Sequence, residues 1–279
     1  MNHSRRVLLV ALLGALLAAY ALRLQQLGAQ SFWYDETVTV YLANQSISGL
    51  IAHTARDIHP PLYYLLLHFW VGFMGVSEFA VSYFSLLWGL LLIASSFTLA
   101  RWLDGRQVAL LTVALLALSP FNIWYSQEAR MYTMGATLGL WTLLALWQLL
   151  RGRRMKKRWM ILWLVSAVAG LYTLYYFAFL LLWEAFFVAW WLWRESNPRE
   201  RWQRWTLLAT LLLLLWSPWL PTALHQATTP PVPPWRTAVS PPRMFIETLS
   251  ALALGQSVDH QLIWPLIALL VPVMLGGLI

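Results

Sequence analysis

Pro61-Leu62-Tyr63-Tyr64-Leu65-Leu66-Leu67-His68-Phe69-Trp70-Val71-Gly72-Phe73-Met74-Gly75 is an apolar run of 15 residues. As a helix it would reach about 22 Å at roughly 1.5 Å per residue, short of a hydrocarbon core about 30 Å thick. Whether it crosses a bilayer decides the sidedness of every segment after it. The answer comes from Arg151 to Arg158, RGRRMKKR, which carries six cations and no acid. Short loops rich in Lys and Arg stay on the cytoplasmic side, and that assignment holds only if Pro61 to Gly75 lies in the interface or dips in and returns.

The rest of the chain supports a bilayer as solvent. Of 279 residues 60% are hydrophobic and 11% charged, against about 25% charged in soluble domains. Candidate spans are Val7–Leu24, Phe79–Ala100, Val108–Ile123, Met131–Leu150, Trp159–Tyr175, Tyr176–Trp193, Thr206–Leu224 and Leu262–Ile279. These predict an all-α, polytopic helical membrane protein of about eight spans, forming a single domain over residues 1–279. The last span stops inside apolar sequence, so the chain reads as cut short at its C-terminus. Val7–Leu24 follows Arg5 and Arg6 as a signal peptide would, but the later spans make it an uncleaved anchor.

With this topology the N-terminus is cytoplasmic, and the cytoplasmic stretches hold fourteen of the nineteen cations. The outer face keeps Arg23, Arg56, Arg130, Arg236 and Arg243, with seven of eleven acids: Asp35, Glu36, Asp57, Glu78, Glu128, Glu247 and Asp259. The net charge of +8 therefore orients helices and gives no reason to expect nucleic acid. Tryptophans such as Trp124, Trp159, Trp193, Trp202, Trp205 and Trp219 lie near span ends, as interfacial anchors do. The absence of cysteine excludes disulfides, thiolate catalysis and Cys-based metal sites.

Three segments share the outer face: residues 25–60, the corner 124–130, and the stretch 225–261, whose part from Thr228 to Pro242 holds six prolines and reads as a stiff extended loop. The first contains Phe32-Trp33-Tyr34-Asp35-Glu36-Thr37. Its two carboxylates are candidates for chemistry, although Asp35 would also serve as a helix cap. The same segment ends in Arg56-Asp57-Ile58-His59-Pro60-Pro61-Leu62, three ionisable groups ahead of two prolines that fix the backbone. A metal between Glu36, Asp57 and His59 is conceivable, but no recognised ligand spacing supports it, and no cofactor is expected. The corner and its flanks read Ser119-Pro120-Phe121-Asn122-Ile123-Trp124-Tyr125-Ser126-Gln127-Glu128-Ala129-Arg130-Met131-Tyr132. Here Arg130 offers the forked donors that hold phosphate at the depth of lipid head groups. Glu184 is the one acid placed deep in a span, where structural burial as a hydrogen-bonded group competes with function.

Asp35-Glu36, Asp57-x-His59-Pro60-Pro61-Leu62, and Ser119-Pro120 through Arg130-x-Tyr132 together resemble the protein O-mannosyltransferase superfamily of membrane glycosyltransferases. Its bacterial relatives include the aminoarabinose transferase that modifies lipid A. The resemblance covers essentially the whole chain in order and topology. It implies the GT-C-like helical bundle, with interfacial helices in the first outer loop and a cavity between two outer loops. It also implies a polyprenyl-phosphate sugar donor, an acceptor that is a glycan, lipid or protein, and a first-loop acid as base. That role falls to Asp35, with Glu36 beside it. Arg56, Asp57, His59, Tyr125, Glu128, Arg130 and Tyr132 are the expected substrate-binding residues, in a multi-pass protein of the plasma (inner) membrane working on its outer face. Many mannosyltransferases of the superfamily carry a lysine soon after His-Pro-Pro-Leu, where this chain has Tyr63 and Tyr64. A lipid-linked sugar flippase or small-solute transporter is the competing class. Such carriers place ionisable groups near the midplane and show internal repeats, whereas these acids cluster at one face. An inactive scaffold, or one part of a longer enzyme, is a third reading.

Overall fold

A computed structural model describes residues 3–152, 154–196, 198–229 and 239–255 together with Pro265. Most of the Pro-rich stretch and the expected span Leu262–Ile279 lie outside the described residues. Among the described residues the chain is all helix: α1 (His3–Leu24), α2 (Tyr34–Ala43), α3 (Ile47–Thr54), α4 (Leu62–Met74), α5 (Glu78–Leu118), α6 (Pro120–Gln127), α7 (Tyr132–Arg151), α8 (Lys157–Leu171), α9 (Phe177–Trp193), α10 (Arg199–Trp216), α11 (Leu220–Thr228) and α12 (Pro241–Leu254). Stretches of α1, α5 and α7 are long and apolar enough to cross a membrane. The protein is an all-α, polytopic membrane protein.

Helix α5 is two arms. Asp104 and Gly105 leave helical geometry, Gly105 with a φ of 83°, and the arms fold back so that Ile93, Phe97 and Ala100 share one core with Ala109, Val113, Ala117 and Ala19 of α1. The second arm stops at Leu118, earlier than the expected span Val108–Ile123. Pro120 has no N–H with which to continue the ladder, and the Ser119 hydroxyl accepts from the Asn122 N–H to start α6. The corner expected as loop over 124–130 is therefore helical through Gln127 and irregular only at its end.

The expected span Thr206–Leu224 is also broken. Helix α10 ends at Trp216, and α11 leaves it at 75°. Pro218 and Pro221 both lack the donor a continuous helix needs. The segment expected to begin at His225 thus begins at the bend. Its buried Gln226 donates to the Thr54 and Ala55 carbonyls at 2.8 and 3.1 Å, tying α11 to the C-terminal end of α3.

Helix α4 stays at one end of the bundle. The Tyr63 and Ser85 hydroxyls are 2.8 Å apart, and Trp70 Nε1 donates to the Ala80 carbonyl at 2.7 Å, so α4 runs antiparallel to only the first turns of α5. Its own first N–H, from Leu62, finds the Tyr172 carbonyl in the α8–α9 turn at 2.9 Å. At the opposite end Arg201 Nη2 donates to the carbonyls of Leu149, Leu150 and Gly152, closing the orphan C-terminus of α7. Arg204 reaches the Met155 carbonyl there, and Trp102 meets Trp159 edge to face.

Two buried ionisable groups are structural. Arg23, counted in the sequence among outer-face cations, is fully buried. It donates to Ser126 Oγ and to the carbonyls of Ala19, Leu116 and Ala117, capping α5 where Pro120 breaks it. Glu184 is 1% exposed and accepts from Thr142 Oγ1 at 2.6 Å and Trp163 Nε1 at 2.7 Å. Its two oxygens cross-link α7, α8 and α9.

Candidate active site

Arg130 is the centre of the polar cluster, and backbone geometry puts it there. The first arm of α5 meets α6 at Gly89, where a Cβ would lie 2.2 Å from Ser126 Oγ. Only the missing side chain lets α6 come so close, and three residues beyond Ser126 the chain turns tightly, with the Arg130 N–H donating to the Glu128 carbonyl at 2.8 Å. The Arg130 carbonyl in turn accepts from Ser85 Oγ at 3.1 Å, which pins the turn to α5.

From that position the side chain, 3% exposed, reaches back to the first loop. Nη1 donates to the Asp35 carbonyl at 3.2 Å, Thr39 Oγ1 at 3.3 Å and Tyr64 Oη at 3.4 Å. Nη2 lies 3.3 Å from His59 Nε2 and 3.8 Å from Asp35 Oδ2. A guanidinium only donates, so Nε2 accepts and the His59 proton sits on Nδ1, which faces Asp57 Oδ2 at 3.6 Å. Burial works against the charge of Arg130, but Tyr64, Tyr132 and Asp35 outweigh it and hold its pKa above the ordinary value. Burial likewise opposes ionisation of Asp57, and His59 overcomes it to keep that carboxyl below its usual range. The cation is thus permanent, and the Asp35 side chain, 37% exposed, is the open side of the pair.

Asp35 and Glu36 part company. Glu36 Oε1 accepts from the Ala129 N–H at 2.8 Å and Oε2 from the Trp33 N–H at 3.3 Å, closing the start of α2 and fastening it to the Arg130 turn. Capping falls to Glu36 and leaves the Asp35 carboxylate free to face Arg130. On the far side of this fastening lies a cleft of about 640 Å³, lined by Gln26 to Gly28, Gln30 to Trp33, Glu36, Ser82, Trp124, Gln127 and Glu128. Gly28, at a φ of 78°, lets the exit of α1 press against Phe79, where a Cβ would sit 2.7 Å from the backbone nitrogen. Glu128 borders the cleft with its Oε2 buried and unpartnered among the described residues. Burial, then Glu36 and Asp35, push its carboxyl up to about 7, with Arg130 pulling the other way.

The remaining expected residues divide. Tyr132 holds its ring 6.0 Å from the Arg130 guanidinium carbon, and Tyr125 packs edge-on against Tyr132. Arg56 does not join them: it is exposed, and its Nε donates back to the Ala52 carbonyl at 3.1 Å. Tyr64 and Thr39 touch Arg130 but do not stand out in sequence. Among the described residues no three His, Asp or Glu side chains converge as metal ligands would.

A buried arginine joins two polar loops at one end of an apolar helical bundle and faces a half-open carboxylate. The chain belongs to the dolichyl-phosphate-mannose-protein mannosyltransferase family, whose profile matches residues 58–221, more than half of its length. It is a membrane glycosyltransferase. Neither a curated protein nor a solved structure matches the chain.

Proposed function

We propose that the protein transfers a sugar from a polyprenyl-phosphate donor to an acceptor hydroxyl or amine at the outer face of the plasma membrane, with inversion at the anomeric carbon. The observation that carries this reading is the pairing of Arg130, buried and permanently charged, with the open carboxylate of Asp35 at 3.8 Å. The phosphodiester of a donor arriving from the bilayer finds one fixed cation whose Nη2 already faces His59 and the Asp35 carboxylate.

Asp35, ionised, takes the proton of the acceptor as its oxygen or nitrogen bonds to C1, and the C1–O bond to phosphate breaks with its electron pair leaving on the phosphate. Negative charge on the phosphate rises along this path, so Arg130 binds the transition state more tightly than the ground state. His59 and Asp57 orient the guanidinium, and no metal is required. The transport alternative gains nothing from Glu184, the one deep acid, because both its oxygens are bonded to neighbouring helices.

The test is transfer in proteoliposomes supplied with polyprenyl-phosphate sugars and a labelled acceptor extract. Asp35→Asn is expected to abolish transfer while retaining donor binding, and normal transfer by this variant would refute the base. Arg130→Lys keeps a charge but loses the fork, so donor binding should weaken at least ~10-fold, the scale of one charge-assisted hydrogen bond. Movement of intact donor between leaflets without cleavage would instead establish the flippase.

A further inference from the structure

The bend between α10 and α11 delivers a side chain to the loop that carries Asp57 and His59. A straight continuation of α10 would put residue 226 about 15 Å beyond Trp216 along the same axis. The 75° turn brings it to the end of α3 instead. There Gln226 is 7% exposed and its amide is fully engaged. Nε2 donates to the Thr54 carbonyl at 2.8 Å and the Ala55 carbonyl at 3.1 Å, and Oε1 accepts from the Tyr175 hydroxyl. That hydroxyl accepts in turn from Trp219 Nε1 at 2.9 Å. Only this orientation of the amide works, because a flipped one would set its oxygen against two carbonyl oxygens.

Thr54 and Ala55 are the last residue and the C-cap of α3, where helical carbonyls find no partner within the helix. The Thr54 carbonyl that Gln226 holds also accepts from the Asp57 N–H at 3.3 Å. Asp57 Oδ2 faces His59 Nδ1 at 3.6 Å, and His59 Nε2 accepts from Arg130 Nη2 at 3.3 Å. The far end of the segment is held from the same side, since the Leu62 N–H donates to the carbonyl of Tyr172, in the turn that also carries Tyr175. The α8–α9 turn and α11 therefore grip residues 55–61 at both ends, and Pro60 and Pro61 stiffen the path between them. Fixing both ends of so short a segment fixes where its imidazole stands.

Resting on the assignment of Arg130 to the donor phosphate, we propose that Gln226 and Tyr175 are positioning residues of the active site: through the Thr54 carbonyl and the Asp57–His59 pair they set the orientation of the Arg130 guanidinium. Neither touches the reacting atoms. The test titrates purified protein in nanodiscs with polyprenyl phosphate, comparing wild type with Gln226→Leu, Tyr175→Phe and His59→Ala, and with each of the first two combined with His59→Ala. Gln226→Leu nearly keeps the volume and removes every bond of the amide. It and His59→Ala should each weaken binding roughly 10-fold, the scale of a hydrogen bond to a charged group. Tyr175→Phe leaves both Nε2 donations in place, so it reports even if Gln226→Leu folds poorly, and it should weaken binding about 3-fold, the scale of a neutral hydrogen bond.

The combinations separate positioning from mere support. With His59 gone nothing is left to position, so Gln226→Leu and Tyr175→Phe should weaken binding no further, whereas independent effects would multiply, to about 100-fold for Gln226→Leu with His59→Ala. The inference is overturned if the losses multiply. It is also overturned if both variants bind polyprenyl phosphate as wild type does and only melt at lower temperature, or if His59→Ala binds normally while Arg130→Lys does not. Failure of the underlying reading has a different signature: Arg130→Lys would itself leave polyprenyl phosphate binding intact.

Discussion

Asp35 and Glu36 carry the same functional group one bond apart in sequence, and their surroundings give them opposite work. Glu36 satisfies two backbone N–H groups that otherwise have no acceptor, so Glu36→Ala should cost about 1–3 kcal/mol as buried donors lose their partner. Glu36→Gln keeps one acceptor oxygen and should cost less, and thermal unfolding of both variants in detergent would check the order. Glu128 gives a pH signature. Its carboxyl is raised from 4.5 to about 7, so between those values the folded chain holds a proton that the unfolded chain has lost. Stability from this group is full below pH 4.5 and declines as pH rises to about 7. Asp57, depressed by His59, acts in the reverse sense and loses its contribution as pH falls. Comparing wild type with Glu128→Gln isolates the first effect. The two melting temperatures should lie close in acid and separate in favour of the variant as pH approaches 7, whereas a constant difference would show that Glu128 does not titrate in that range.

At the scale of helices, Gly89 sets how near α6 approaches α5 and hence where Glu128 and Arg130 stand. Gly89→Ala places a Cβ 2.2 Å from Ser126 Oγ and 2.9 Å from its Cβ, so α6 must shift. Overpacking of this kind costs about 1–3 kcal/mol, and we expect transfer to fall further than stability alone explains. Adding Ser126→Gly relieves both contacts and should restore part of the loss, a coupling that a double-mutant cycle of melting temperatures measures. The existence of these helices was legible in sequence because apolar runs state it directly. Their ends were not: hydropathy continues through Ser119-Pro120 and Ser217-Pro218, where the missing proline donor ends a helix without changing its polarity. The site was legible in part. Asp35, His59 and Arg130 stood out as polar groups beside prolines and aromatics, and the structure brings them together. Thr39 and Tyr64 look like ordinary helix residues, and their role depends on a contact across about ninety and about sixty-six positions that no local pattern encodes. The burial of Arg23 was hidden for a related reason, since its carbonyl partners carry no side-chain signature.

For the whole molecule, the two ends of the bundle differ in chemistry, and this difference predicts orientation. One end gathers Arg130, Asp35, His59 and the start of α4, and the other gathers Arg101, Arg151, Lys156, Lys157, Arg158, Arg194, Arg201 and Arg204. Helix α4 touches only the first turns of α5, so it adds no crossing between the ends. Positive loops are retained in the cytoplasm, which turns the Arg130 end outward. The chain has no cysteine, so single cysteines report position without background. Asn44 lies between α2 and α3 at the Arg130 end and is exposed, and Lys157 is exposed at the basic end. In intact cells a membrane-impermeant maleimide should label Asn44→Cys at once and Lys157→Cys only after permeabilisation. Were α4 a full crossing, α5 and every later helix would reverse, and Lys157→Cys would be labelled from outside. The same labelling, repeated with polyprenyl phosphate present, should leave Asn44→Cys unchanged and protect a cysteine placed at exposed Ile58, beside His59. Protection there would join orientation to chemistry, because a lipid phosphate covers that position only if the Arg130 end lies at the head-group level of the outer leaflet.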